Sequence, residues 1–157
     1  MPNTVEFLHG AETYGFMAYD RPDGGLSVAF GRQKYYNSLH AVIERLSNGK
    51  NIYFHCNAGA DRTGTFAFLI EALLGVSESD LSKDYELTSF YTLRQRNASP
   101  GEDYGYSSMI AWINANYTGN TLNEKVYDLC TKTVENGGIG LSEAEITTLR
   151  SIMIEDD

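Results

Sequence analysis

Residues 51–75 read NIYFHCNAGADRTGTFAFLIEALLG, and the fold turns on how that stretch is parsed. Its opening, Asn51-Ile52-Tyr53-Phe54-His55, is short, aromatic and β-branched, the composition of a buried strand. The run from Phe66 to Leu74 is apolar nearly all round, which predicts a central helix closed by Gly75. Between them lies CNAGAD, a loop of small residues. Strand, loop and helix in that order make an α/β unit. Its loop falls at the strand's carboxyl end, where open α/β sheets usually bind ligands.

Upstream, residues 35–50 place Leu39, Val42, Ile43 and Leu46 on one stripe, the spacing of an amphipathic helix. Gly49 stands where a left-handed cap would end it. The first 35 residues are less regular. Residues 20–25, DRPDGG, must turn, because Pro and paired Gly break both regular structures, and LSVAF (26–30) reads as a short strand. Downstream, Ser77-Glu78-Ser79-Asp80 resembles a helix start with Ser77 as its cap. Helical stripes recur in YSSMIAWINANY, in TLNEKVYDLCTKTVENG and in a last helix opened by Ser142-Glu143-Ala144-Glu145. The back half is therefore mostly helical. There is no internal repeat and no Pro-rich linker, so residues 1–157 are read as one α/β domain with extra helices.

Composition narrows the function classes. Of 157 residues, 42% are apolar and 12% aromatic, which is ordinary globular usage. The net charge is -9, so a broad footprint for nucleic acid or anionic lipid is not expected. An anion site in this chain has to be a local positive spot in a negative envelope. No apolar run approaches the ~20 residues of a membrane span. The start MPNTVEFLHG lacks the pattern of a signal peptide; the compartment stays open between cytoplasmic and, for a piece of a longer chain, secreted. The two cysteines, Cys56 and Cys130, do not make a disulfide framework, and Cys130 in YDLCTKTV reads as a small buried residue.

The chemistry concentrates in residues 55–65, HCNAGADRTGT. A cysteine ends the predicted strand, and Arg62 opens the helix. The backbone N–H groups of Asn57, Ala58, Gly59, Ala60 and Asp61 can turn inward together with the free N–H groups of the helix start. That makes a cradle for a tetrahedral oxyanion. Gly59 supplies unusual backbone angles, while Ala58 and Ala60 keep side chains out of the way. Arg62 can lay its planar fork across two phosphate oxygens. Cys56 sits at the base, facing the positive helix end, which favours the thiolate. A thiolate beneath a bound phosphate is an in-line nucleophile. Thr63 adds a hydroxyl able to bond that thiolate, and His55 orients the loop rather than acting as a base. A metal site is poorly supported, since one Cys and one adjacent His offer no four-ligand spacing. A nucleotide P-loop would need Gly-Lys-Ser/Thr, which is missing.

The string resembles the protein tyrosine phosphatase superfamily signature H-C-x5-R-[ST]. The wider chain is similar to bacterial tyrosine/dual-specificity phosphatases whose loop reads HCxxGxDRTG. The resemblance implies a mostly parallel central sheet flanked by helices, a phosphocysteine intermediate and no metal or other cofactor. It implies Cys56 as nucleophile, Arg62 as phosphate ligand and transition-state stabiliser, and residues 57–61 as backbone donors. The implied substrate is a phosphorylated protein or small phosphomonoester, with phosphate or vanadate as a site ligand. Relatives that act on phosphoinositides usually carry Lys where this loop has Ala60, so that alternative and inositol phosphates rank below phosphotyrosine or aryl phosphates.

A hydroxyl leaving group needs a proton, which an Asp or Glu usually supplies. Asp20 and Asp23 lie in the turn-like loop around Pro22 and fit the family's upstream acid loosely, without its Trp-Pro-Asp pattern. Asp61 is the rival, already in the phosphate loop, with a structural alternative as a loop brace; Asp103 is an outside candidate. Arg94 and Arg96 could recognise a second anion, but lone charges near a helix end are more often solvated. Tyr14, Tyr19, Tyr35 and Tyr36 could wall a cleft, though most such tyrosines are packing residues. The sequons at Asn97 and Asn116 are read as coincidence. Two other readings stay open: a degenerate phosphatase that binds phosphorylated ligands without turnover, and a Cys-Arg loop arsenate reductase, for which Cys130 would be the lone resolving thiol.

Overall fold

The structure is a computed structural model that describes residues 14–90, 96, 98 and 104–154. Among the described residues six α-helices follow in chain order: α1 (Ala29–Ser47), α2 (Arg62–Leu74), α3 (Glu78–Leu87), α4 (Tyr106–Asn116), α5 (Leu122–Thr131) and α6 (Glu143–Met153). Short 3-10 turns follow α3 at Thr88–Phe90 and α5 at Val134–Asn136.

The helix α2 is the axis of the molecule, packing against α3, α5 and α6, while α1 lies on α6 and α4 on α5. Its sequence explains this. Phe66, Phe68, Leu69, Ile70 and Leu73 are all buried, so only an element with neighbours on several sides could house them. Each such side chain contributes roughly 1.5–3 kcal/mol of transfer free energy. The carboxyl end of α2 is pinned: Gly75 takes a left-handed φ of 90°. Arg150 Nε donates to Leu73 O at 2.7 Å, and Asn123 Nδ2 donates to Ala72 O at 2.9 Å. Its amino end has no side-chain cap, so it is available for an anion.

The local start and stop signals hold. Gly49 has φ +70° just beyond α1, and its N–H donates to Leu46 O. Ser77 caps α3 by accepting from the Asp80 N–H. Ser142 and Glu145 form a reciprocal capping box on α6. Cys130 is fully buried in α5, and burial pushes its thiol pKa far up. Among the described residues, no helix is long and apolar enough to cross a membrane.

The mostly parallel central sheet does not materialise. Among the described residues there is no strand and no sheet, and the architecture is helical. Residues 51–56 run without regular structure, yet no described segment pairs with their backbone, and the predicted burial fails as well. Tyr53 is 78% and Phe54 38% exposed. The second expected strand, 26–30, is divided instead between a turn and the first residues of α1. A strand is completed by its neighbours, and an aromatic, β-branched composition cannot supply them.

The segment before α1 folds back on itself. Met17 N–H donates to Gly24 O at 2.9 Å and Leu26 N–H to Tyr19 O at 2.7 Å. The turn then packs onto α1 so closely that a Cβ on Gly31 would lie 2.1 Å from Gly25 O. Buried Arg32 donates to Leu26 O from the same helix, and the fully buried Tyr35 donates its hydroxyl to Met17 O at 2.8 Å. Tyr19 is thereby delivered to the amino end of α2.

Candidate active site

The loop 57–61 bends from the extended segment into α2, with Gly59 at φ +72°. That left-handed angle lets consecutive N–H groups converge on one point, which is where the Cys56 sulfur lies. Burial opposes ionisation of this half-buried thiol. The Thr63 hydroxyl and the N–H groups of Thr63, Gly59 and Ala58 together outweigh it, and hold the pKa down at about 7. The Thr63 hydroxyl is itself buried and meets no hydrogen-bond partner in good geometry among the described residues, and its nearness to the sulfur favours the thiolate. His55 Nδ1 donates to Cys56 O at 3.0 Å, which sets a tautomer and braces the turn. Arg62 is solvent-exposed at the first position of α2, and Ala60 is fully buried.

Behind the loop, Thr65 Oγ1 donates to Asp61 O at 2.8 Å and accepts from the Tyr19 N–H at 3.0 Å. Tyr19 occupies a left-handed φ of 56°, uncommon for a bulky residue. Its hydroxyl donates to Asp61 Oδ1 at 2.8 Å and lies 3.4 Å from the Tyr85 hydroxyl. Burial foremost, then Tyr85 and Asp61, push the Tyr19 phenol pKa far up, so it remains a donor.

The three described carboxylates singled out in the sequence sit differently. Asp23 is outside the cluster, gripped by Arg21 Nε and Nη2 at 2.9 Å each, and those hydrogen bonds hold its carboxyl below the usual range. Asp20 accepts from Ser108 Oγ at 2.9 Å, tying the turn to α4. Asp61 lies in the loop itself. Asp103 and Arg94 fall outside the described residues.

Arg96 departs from expectation. A solvated charge was the favoured reading, whereas its side chain is only 6% exposed. Its Nη2 donates to Asp61 Oδ1 at 3.1 Å and Oδ2 at 3.0 Å. Ser89, in the 3-10 turn after α3, fixes the Arg96 backbone by accepting from its N–H at 2.7 Å and donating to its carbonyl at 2.8 Å. Nothing local announces this pair, because 35 residues separate Arg96 from Asp61.

Of the four tyrosines considered as cleft walls, Tyr35 is a core residue and Tyr36 stacks on His40. Tyr19 reaches into the loop, with its hydroxyl on the Asp61 carboxylate.

The loop thus brings together a thiol, main-chain donors and an exposed arginine at a helix start. The sequence model of the tyrosine phosphatase family matches residues 26–155. The chain belongs to that family. A curated protein of Cupriavidus necator, named as a tyrosine-protein phosphatase, is 37% identical over 65 residues. That match covers 41% of this chain and 22% of the relative. No solved structure matches the chain.

Proposed function

We propose that this chain hydrolyses phosphotyrosine or related phosphomonoesters through a phosphocysteine intermediate. The observation that carries the reading is the convergence of the Thr63 hydroxyl and three main-chain N–H groups on the Cys56 sulfur. Donors arranged to stabilise a thiolate also suit the oxygens of a phosphoryl group held above it. Residues 57–63 would cradle that group, with the exposed Arg62 fork closing over two of its oxygens.

In the first step Cys56 Sγ attacks phosphorus, the S–P bond forms, and the bond to the leaving oxygen breaks. Asp61 gives its proton to that oxygen. In the second step water attacks phosphorus, Asp61 takes the water's proton, and the thiolate leaves. Asp61 is favoured over Asp20 and Asp23 because its carboxylate stands in the loop, while Asp23 lies outside the cluster on Arg21 and Asp20 is turned toward α4 by Ser108. General acid–base help of this kind is worth roughly 10²–10⁴-fold.

The test is turnover of para-nitrophenyl phosphate by wild type, Cys56→Ser and Arg62→Lys. Wild type should turn over and be inhibited by vanadate. Cys56→Ser should be inactive, and Arg62→Lys should not restore the fork's function. Binding of a phosphopeptide with no product release by wild type would replace catalysis by ligand holding.

A further inference from the structure

We propose that Arg96 and Tyr19 are positioning residues that aim the Asp61 carboxyl at the leaving oxygen. The inference rests on the reading of Asp61 as proton donor. It comes from counting lone pairs. Oδ1 accepts two hydrogen bonds, from Tyr19 Oη at 2.8 Å and Arg96 Nη2 at 3.1 Å. Oδ2 accepts one, from Arg96 Nη2 at 3.0 Å. A carboxylate oxygen has two lone pairs in its plane, so Oδ1 is filled and Oδ2 keeps one open. That open position is the one left to face a leaving oxygen. With both donors in place the carboxyl cannot rotate without breaking one of them.

Three features separate this arrangement from a folding staple. Arg96 Nε and Nη1 are buried and have no hydrogen-bond partner among the described residues, so the guanidinium is spent on Asp61 at a cost in stability. The Asp61 side chain is 41% exposed, so water could solvate it if Arg96 were absent. Both donors are fixed from elsewhere. Ser89 clamps the Arg96 backbone, and Thr65 accepts from the Tyr19 N–H. The aim of Asp61 is thus set by the turn after α3 and the turn before α1, not by its own loop.

The experiment compares p-nitrophenyl phosphate, whose leaving group needs little protonation, with phenyl phosphate, whose leaving group needs it. Wild type, Asp61→Asn, Arg96→Met, Tyr19→Phe and the Asp61→Asn/Arg96→Met pair are assayed on both. Arg96→Met and Tyr19→Phe should lower kcat on phenyl phosphate at least tenfold more than on p-nitrophenyl phosphate, with KM and vanadate inhibition little changed. In the Asp61→Asn background, Arg96→Met should add no further selective loss. Equal losses on both substrates, no loss, or a full additional loss in the double variant would overturn the inference. Should Arg96→Met fail to fold, Tyr19→Phe, which removes one oxygen, decides alone. If Asp61→Asn keeps wild-type turnover of phenyl phosphate, the proton-donor reading falls and takes the inference with it, while Cys56→Ser still reports separately on the nucleophile.

Discussion

The main-chain N–H of Tyr19 donates to the side-chain oxygen of Thr65 at 3.0 Å, across 46 residues of sequence. That bond joins the turn before α1 to the first turn of the central helix. It also holds Tyr19 in a left-handed conformation that a bulky side chain disfavours. Thr65 is nearly fully buried, so its replacement by Val leaves the Tyr19 donor unsatisfied. Thr65→Val should cost about 1–3 kcal/mol, whereas Thr65→Ser should stay closer to wild type. Urea midpoints of the two variants check this.

The Cys56 thiol pKa is lowered from the ordinary thiol value of 9.0 to about 7. A lowered pKa means that thiolate predominates above that pH and thiol below it. Alkylation by iodoacetamide should therefore rise through a midpoint near pH 7 and fall about tenfold per unit on the acid side. Thr63→Val removes the hydroxyl that helps hold the thiolate, so its midpoint should move alkaline. Cys130 should stay unlabelled in the folded protein, because burial raises its pKa and shields it. Mass mapping of the labelled peptides separates the two sites.

Gly59→Ala tests the cradle without a packing clash. Among the described residues no heavy atom beyond its chain neighbours lies within 4 Å of where its Cβ would be, so the strain comes from the backbone, at φ +72°. An L-residue there costs roughly 1–2 kcal/mol. Relaxing that angle would swing the Gly59 N–H away from the sulfur. The Cys56 alkylation midpoint should rise and vanadate should inhibit more weakly, with the thermal midpoint falling only modestly.

What the sequence disclosed was what short-range physics decides. The stripe Leu39, Val42, Ile43 and Leu46 gave the body of α1, and Gly49, Gly75, Ser77 and Ser142 marked ends that side-chain and backbone geometry fix locally. The start of α1 was not legible, because residues 26–30 read as a short strand and Gly31 lies inside the helix. It is there since the carbonyls of Gly24 and Gly25 pass too close for any Cβ. The strand at 51–55 was misread for the opposite reason. Its composition suits a buried ladder, but burial and pairing belong to neighbours that the described residues do not provide. At the site, the bend of the loop 57–61 into α2 was readable from its small residues and the apolar run that follows. The partnership of Asp61 with Arg96 and Tyr19 was not, since it depends on where three distant turns meet.

Glu145 links the capping of α6 to its docking on α1, and this gives an acid-sensitive joint. Its carboxylate accepts from the Ser142 N–H at 2.8 Å, from Ser142 Oγ at 2.7 Å and from His40 Nδ1 at 2.6 Å. Burial pulls its pKa upward, but the hydrogen bonds from His40 and Ser142 prevail and leave it below the usual 4.5. A carboxylate whose pKa is lower in the folded state stabilises the fold above its unfolded value, and that contribution disappears as pH falls through the folded value. Wild-type stability should therefore decline as pH drops below about 4.5, and Glu145→Ala should flatten that decline. At neutral pH Glu145→Ala should cost roughly 0.5–2 kcal/mol through the lost cap. Glu145→Gln, which keeps an acceptor for Ser142 but not the charge facing His40, should cost less. Urea midpoints for the three proteins at pH 7 and pH 4 test both parts. Parallel acid limbs for wild type and Glu145→Ala would show that the acid sensitivity resides in other carboxylates.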